Sequence, residues 1–159
     1  MTKNALPKLL FAAVLGAAGV LAGAAVTAHA DDPQQPSLEE TYDYPGAEAI
    51  LADRGIRLLR GDGHITLATC AGGTGQAEVW SRSKGQFCFR ITGSSGWLTL
   101  ELDEVYGIKG DSGHTTAAKV TVDEATESVS VPKNTWTGVG EGADTDNGLA
   151  TLVELRATA

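Results

Sequence analysis

Trp97-Leu98-Thr99-Leu100-Glu101-Leu102-Asp103 decides the fold. Leu98, Leu100 and Leu102 alternate with Trp97, Thr99 and Glu101. In an extended chain that period of two puts three leucines on one face and the tryptophan on the other. This is the signature of a half-buried strand.

The same period recurs on either side. Short strands are expected at 56–60, 64–70, 77–82 and 86–92, separated by glycine-rich turns. Gly61-Asp62-Gly63 is a tight-turn sequence, so 56–60 and 64–70 are expected to form a hairpin. In 86–92, Phe87, Phe89 and Ile91 share one face, and Cys88 and Arg90 the other. A short apolar piece follows at 105–108, then a polar turn at 109–114. Ala118, Val120 and Val122 then alternate with Lys119 and Thr121. A turn at 123–126 leads back to Val129 and Val131, and Pro132, which has no backbone donor, ends that strand. An acidic loop covers 138–148. The last strand, 149–157, carries apolar residues on both faces and is expected at the centre of a sheet. Upstream, Ala47, Ile50, Leu51 and Arg54 have helical spacing with Gly55 as a C-cap, so 47–54 reads as one short helix. The whole is a mainly-β chain: a single antiparallel β-sandwich or barrel-like domain over 46–159 with one short N-terminal helix.

The first 30 residues have the pattern of a cleaved signal peptide. Lys3 and Lys8 precede an uncharged apolar run, and Ala28-His29-Ala30 is a small–x–small cleavage site. Residues 31–45 read as a disordered acidic leader with Pro33 and Pro36. With the signal removed, ten basic residues face twenty acidic ones, a formal charge of −10. Such a surface repels nucleic acid and anionic lipid, so neither nucleic acid nor, after cleavage, a membrane is an expected partner. The expected location is secreted and extracellular. There the two cysteines, Cys70 and Cys88, are expected to form a disulfide.

Candidate chemistry is sparse. Gly110-Asp111-Ser112-Gly113 matches the core of the trypsin-type nucleophile motif, but His114 follows where that family has another glycine, and His64 is the only other histidine outside the signal. Gly61-Asp62-Gly63-His64 offers one carboxylate and one imidazole, short of the three or four ligands a zinc site needs. Asp144-Thr145-Asp146-Asn147-Gly148, with Glu141 upstream, resembles the start of a calcium loop but departs from the EF-hand pattern at its fifth position, where Gly148 has no side-chain oxygen. The expectation is no catalytic residue, no metal and no cofactor.

The tryptophans are the better signal. Trp97 lies opposite the leucines, Trp80 shares its face with Glu78 and Arg82, and Trp136 follows Pro132. Large aromatics on polar faces stack on sugars or anchor proteins. The same residues also fit a second small core made of the disulfide, a tryptophan and the helix.

Tyr44-Pro45-Gly46, Gly61-Asp62-Gly63-His64-Ile65, Cys70, Phe87-Cys88-Phe89, Gly96-Trp97-Leu98-Thr99-Leu100-Glu101 and Thr151-Leu152-Val153-Glu154-Leu155-Arg156 resemble a group of small secreted actinobacterial proteins with no assigned activity. The resemblance implies export and one β-rich domain, and it adds no catalytic residue. The function expected is a non-catalytic binding or accessory module, with Trp80, Trp97 and Trp136 as binding residues and an extracellular polysaccharide, the cell wall or a secreted protein as partner. The alternatives are a small hydrolase, using Ser112 with a histidine or an acid pair from Asp62, Asp111 and Glu101, and an extracellular protease inhibitor presenting the loop 71–76.

Overall fold

A computed structural model describes residues 41–72 and 75–159. The helix α1, Ala47–Arg54, stops where the sequence says it should: Gly55 has φ 70°, a left-handed conformation that glycine adopts without strain, and its N–H bonds the carbonyl of Leu51. Among the described residues nine strands follow: β1 (Arg57–Gly61), β2 (Ile65–Ala68), β3 (Ala77–Ser81), β4 (Gly85–Ile91), β5 (Ser95–Lys109), β6 (Thr115–Val122), β7 (Ala125–Val131), β8 (Trp136–Gly138) and β9 (Ala150–Thr158). All the pairings are antiparallel. The order is β2-β4-β3-β5-β9-β6-β7, with β1 and β8 also paired to β5.

The fifteen-residue β5 carries the architecture. Its first half pairs with β1 on one edge and β9 on the other. Its second half pairs with β3 and β8. Sequence reading stopped this strand at Asp103 and set 105–108 apart. The structure joins them through an irregularity: the register with β9 shifts between Leu102 and Val105, and Glu104 takes φ 55°. A bulge of this kind bends a strand and raises its twist. It also resets the alternation, so Leu98, Leu100 and Leu102 are buried before it and Val105 and Ile108 after it. One strand thereby serves two wings, β1-β5-β9-β6-β7 and β2-β4-β3-β5-β8. The sheet curls back on itself, since a Cβ on Gly96 at the start of β5 would meet His64 Cβ at 2.8 Å and Ile65 Cγ1 at 3.0 Å. A single apolar cluster takes Val79, Phe87 and Phe89 from one wing and Ala118, Val120, Leu152 and Leu155 from the other. The fold is mainly β and sandwich-like, around one core. β9 lies between β5 and β6, the central place expected of the last strand.

The expected hairpin of 56–60 with 64–70 does not form. β1 pairs with β5, and β2 pairs with β4. The Gly61-Asp62-Gly63 turn is real, but its carboxylate is directed at β5: both Asp62 oxygens accept from the Trp97 N–H, at 3.2 and 3.1 Å, and Oδ1 also accepts from the His64 N–H at 3.0 Å. The turn is pinned to β5, and the flanking strands separate. The leader assigned to 31–45 is also too long at its C-terminal end. The Tyr44 N–H donates to the Leu59 carbonyl, the Gly61 N–H donates to the Tyr42 carbonyl, and Asp43 bridges Arg60. The rest of that assignment, and the signal assigned to 1–30, lie outside the described residues.

The disulfide forms between Cys70 and Cys88, eighteen residues apart. It ties the segment after β2 to the middle of β4, beside the Ala68–Cys88 pair of the ladder. Closing a loop of this length removes about 3 kcal/mol of unfolded-chain entropy.

Candidate functional site

Three strands build one aromatic face. Residues directly opposite each other in antiparallel strands point to the same side. Across β3, β5 and β8 the rows are Glu78–Lys109–Trp136 and Trp80–Gly107–Gly138. Ala77, Val79, Ser81 and Ile108 turn inward and are buried, so those two rows face out. The register between β3 and β5 shifts at Trp80/Ser81, which makes Tyr106 the extra residue of a bulge beside them. Trp136 then meets Trp80 at 6.0 Å between ring centroids, edge to face, and Tyr106 at 6.1 Å. Its benzo ring covers Gly107, where a Cβ would stand 1.9 Å from Cζ2. Trp136 remains 47% exposed. Trp80 lies deeper, and its buried indole N–H has no hydrogen-bond partner among the described residues.

A polar fringe surrounds these rings. Arg82 stacks over Tyr106, with Cζ 5.6 Å from the ring centroid, and its Nε donates to Glu141 Oε1 at 2.6 Å. That hydrogen bond holds the guanidinium still more firmly protonated than usual. On the other flank Lys109 Nζ donates to Glu78 Oε1 at 3.1 Å, and Gln86 Nε2 donates to Glu78 Oε2 at 2.9 Å. Both cations of the face therefore have a carboxylate partner.

Of the three tryptophans singled out from sequence, the structure unites Trp80 and Trp136 and leaves Trp97 apart. Trp97 and Gly107 stand ten residues apart on β5, roughly 30 Å along an extended strand. Trp97 instead meets Tyr42 at 5.8 Å. Beside that pair runs a groove of about 640 Å³ lined by Tyr42, Tyr44, Pro45, Ile50, Asp62 and Thr66. The Tyr44 hydroxyl accepts from the Leu67 N–H at 2.8 Å, which fixes one wall. The second small core imagined for the disulfide, a tryptophan and the helix is divided. Cys88 and Phe87 are neighbours on β4 and point to opposite sides: Cys88 stands opposite Glu78 on the side of the aromatic face, whereas α1 lies against β1 and reaches the other side, with Arg54 over Phe87 at 5.3 Å. Tyr106 and Gly107 were not legible as site residues; Arg82 was read only as sharing the face of Trp80, and Glu141 only as a carboxylate of the acidic loop. The only sequence signal of Tyr106 and Gly107 is a tyrosine–glycine pair that begins three residues after Asp103, where the expected strand ends.

The candidate catalytic groups have structural partners. Asp111 and His114 are 4% and 7% exposed and joined at 2.8 Å, Oδ2 to Nδ1. Asp111 also accepts from the N–H groups of Gly113 and His114. The other imidazole nitrogen, Nε2, faces the Gly93 carbonyl at 3.0 Å. Both ring nitrogens therefore point at acceptors, which favours the doubly protonated ring. The hydrogen bond to Asp111, and then that to Gly93, raise the His114 pKa above its ordinary 6.5. An imidazole held in this way has no free nitrogen to take a proton from Ser112, which is exposed. Asp62 binds backbone N–H groups, and Glu101 pairs with Arg57 at 2.9 Å. In the acidic loop, Asp144 accepts from the Asp146 N–H, while Glu141 is turned away to Arg82. Among the described residues no group of three or more His, Cys, Asp or Glu stands ready to hold a metal ion.

No protein-family model matches the chain, and a comparison with curated proteins found no match.

Proposed function

We propose that the protein is a non-catalytic binding module that takes a saccharide on the face built by Trp80, Tyr106 and Trp136. One observation carries this reading: Trp136 is propped on the bare backbone of Gly107 and braced by two other rings, yet nearly half of it stays in water. A lone exposed tryptophan needs no explanation. A tryptophan seated by a glycine and fixed by neighbours is a rigid plane, and rigid planes bind apolar sugar faces at low entropic cost. The setting is the extracellular space or the cell wall, supported by the disulfide and by the signal-like N-terminus.

The test is depletion of the purified protein from solution by insoluble polysaccharides and bacterial cell walls, with Trp136→Ala and Trp97→Ala alongside. Wild type and Trp97→Ala are expected to be depleted, and Trp136→Ala to stay in solution. Equal depletion of the wild type and Trp136→Ala would remove the face from the proposal.

A further inference from the structure

The charges around Trp136 say which saccharides the face accepts. This inference rests on the binding reading above and narrows it. Sites for polyanions present unpaired Lys or Arg, because neutralising the polymer's charge supplies the affinity. Here Arg82 is held by Glu141 and Lys109 by Glu78, and the chain outside the signal carries a formal charge of −10. A polyanion meeting this surface would have to displace two carboxylates from their partners. A polycation would meet carboxylates already engaged.

The Arg82–Glu141 pair has another use. Arg82 uses Nε toward Glu141 Oε1, and its side chain is 60% exposed. The remaining guanidinium N–H groups are donors and Glu141 Oε2 is an acceptor, side by side. Adjacent hydroxyls on a pyranose ring offer the complementary set, one accepting and one donating. Tyr106 links the two halves of the face, 6.1 Å from the Trp136 ring and 5.6 Å from Arg82 Cζ.

We infer that the face recognises a neutral glycan with vicinal hydroxyls, one pyranose ring stacking on Trp136 while the hydroxyl pair of another binds Arg82 and Glu141. No bond is made or broken.

The experiment compares retention of the purified protein by microcrystalline cellulose, insoluble xylan and cross-linked polygalacturonate. Salt is varied between about 0.05 and 0.5 M, a range over which screening lengths shrink severalfold. Wild type, Trp136→Ala, Arg82→Ala and Glu141→Ala are run together, with circular dichroism and melting curves to confirm that each is folded. The expected result is retention by a neutral polymer that is insensitive to salt. Trp136→Ala should weaken it by roughly tenfold, the loss typical of an interface anchor. Arg82→Ala and Glu141→Ala should each weaken it by roughly fivefold, the scale of one hydrogen bond. Retention by polygalacturonate alone, lost in salt and lost in Trp136→Ala, would overturn the neutral class while keeping the binding face. Neutral binding that depends on Trp136 but not on Arg82 or Glu141 would overturn the hydroxyl contact. Failure of the wild type to bind any of these polymers or cell walls would overturn both the inference and the reading beneath it.

Discussion

Trp136 rests on Gly107 so closely that no other residue fits beneath it: a Cβ there would lie within 2.7 Å of three indole carbons. The glycine belongs to β5 and the tryptophan to the three-residue β8, so the site depends on a contact between strands nearly thirty residues apart in sequence.

Gly107→Ala should therefore lift Trp136 off the sheet without unfolding the protein. Gly107 is in ordinary extended conformation, so alanine brings no backbone strain. The expected cost is about 1 kcal/mol, at the low end for overpacking because the ring can move into solvent. Saccharide retention should fall as far as in Trp136→Ala. Tryptophan fluorescence and a urea melt check the two halves of this prediction.

His114 gives stability a dependence on pH. Its folded pKa is raised above 6.5 by Asp111, so the imidazolium stabilises the fold most fully below pH 6.5. That contribution is lost as pH rises through the folded value. Unfolding free energy should decline on going from about pH 6 upward, and the decline should disappear in His114→Gln. The variant should itself lose roughly 3 kcal/mol, since the buried ion pair with Asp111 is broken. Urea midpoints measured across the pH range decide it.

Asp62→Ala should cost about 2 kcal/mol, because the Trp97 and His64 N–H groups lose a charged acceptor. The loss should centre on the start of β5. Hydrogen exchange should quicken at Trp97 and leave Gly107 protected.

Replacing both cysteines by alanine should lower the unfolding free energy by about 3 kcal/mol, the entropy returned to the unfolded chain. Denaturant titration, and of the wild type with and without reductant, measures it.

Local features were readable from the sequence, and long-range ones were not. The helix over 47–54, its Gly55 stop and the strand end before Pro132 follow from backbone preferences of single residues. The leucine alternation of β5 and the pairing of Cys70 with Cys88 needed only a period of two and a count of two. The partner of β1 was misread because a glycine-rich turn between two strands does not reveal that its aspartate bonds a third strand. The bulge at Glu104 was invisible as well: its φ of 55° on a glutamate has no sequence mark, and it joins two stretches that looked separate. Trp80 and Trp136 come together because β3 and β8 pair with the same end of β5, whereas Trp97, the most prominent tryptophan in sequence, is carried to the far end of that strand.

The central place of β9 has a consequence for synthesis. β5 and β6 are neighbours of β9 and not of each other, so a chain halted before Ala150 leaves the β6–β7 hairpin without its link to the rest of the sheet. β6 and β7 should therefore join the sheet only once residues 150–158 are made, when β9 bridges β6 to β5.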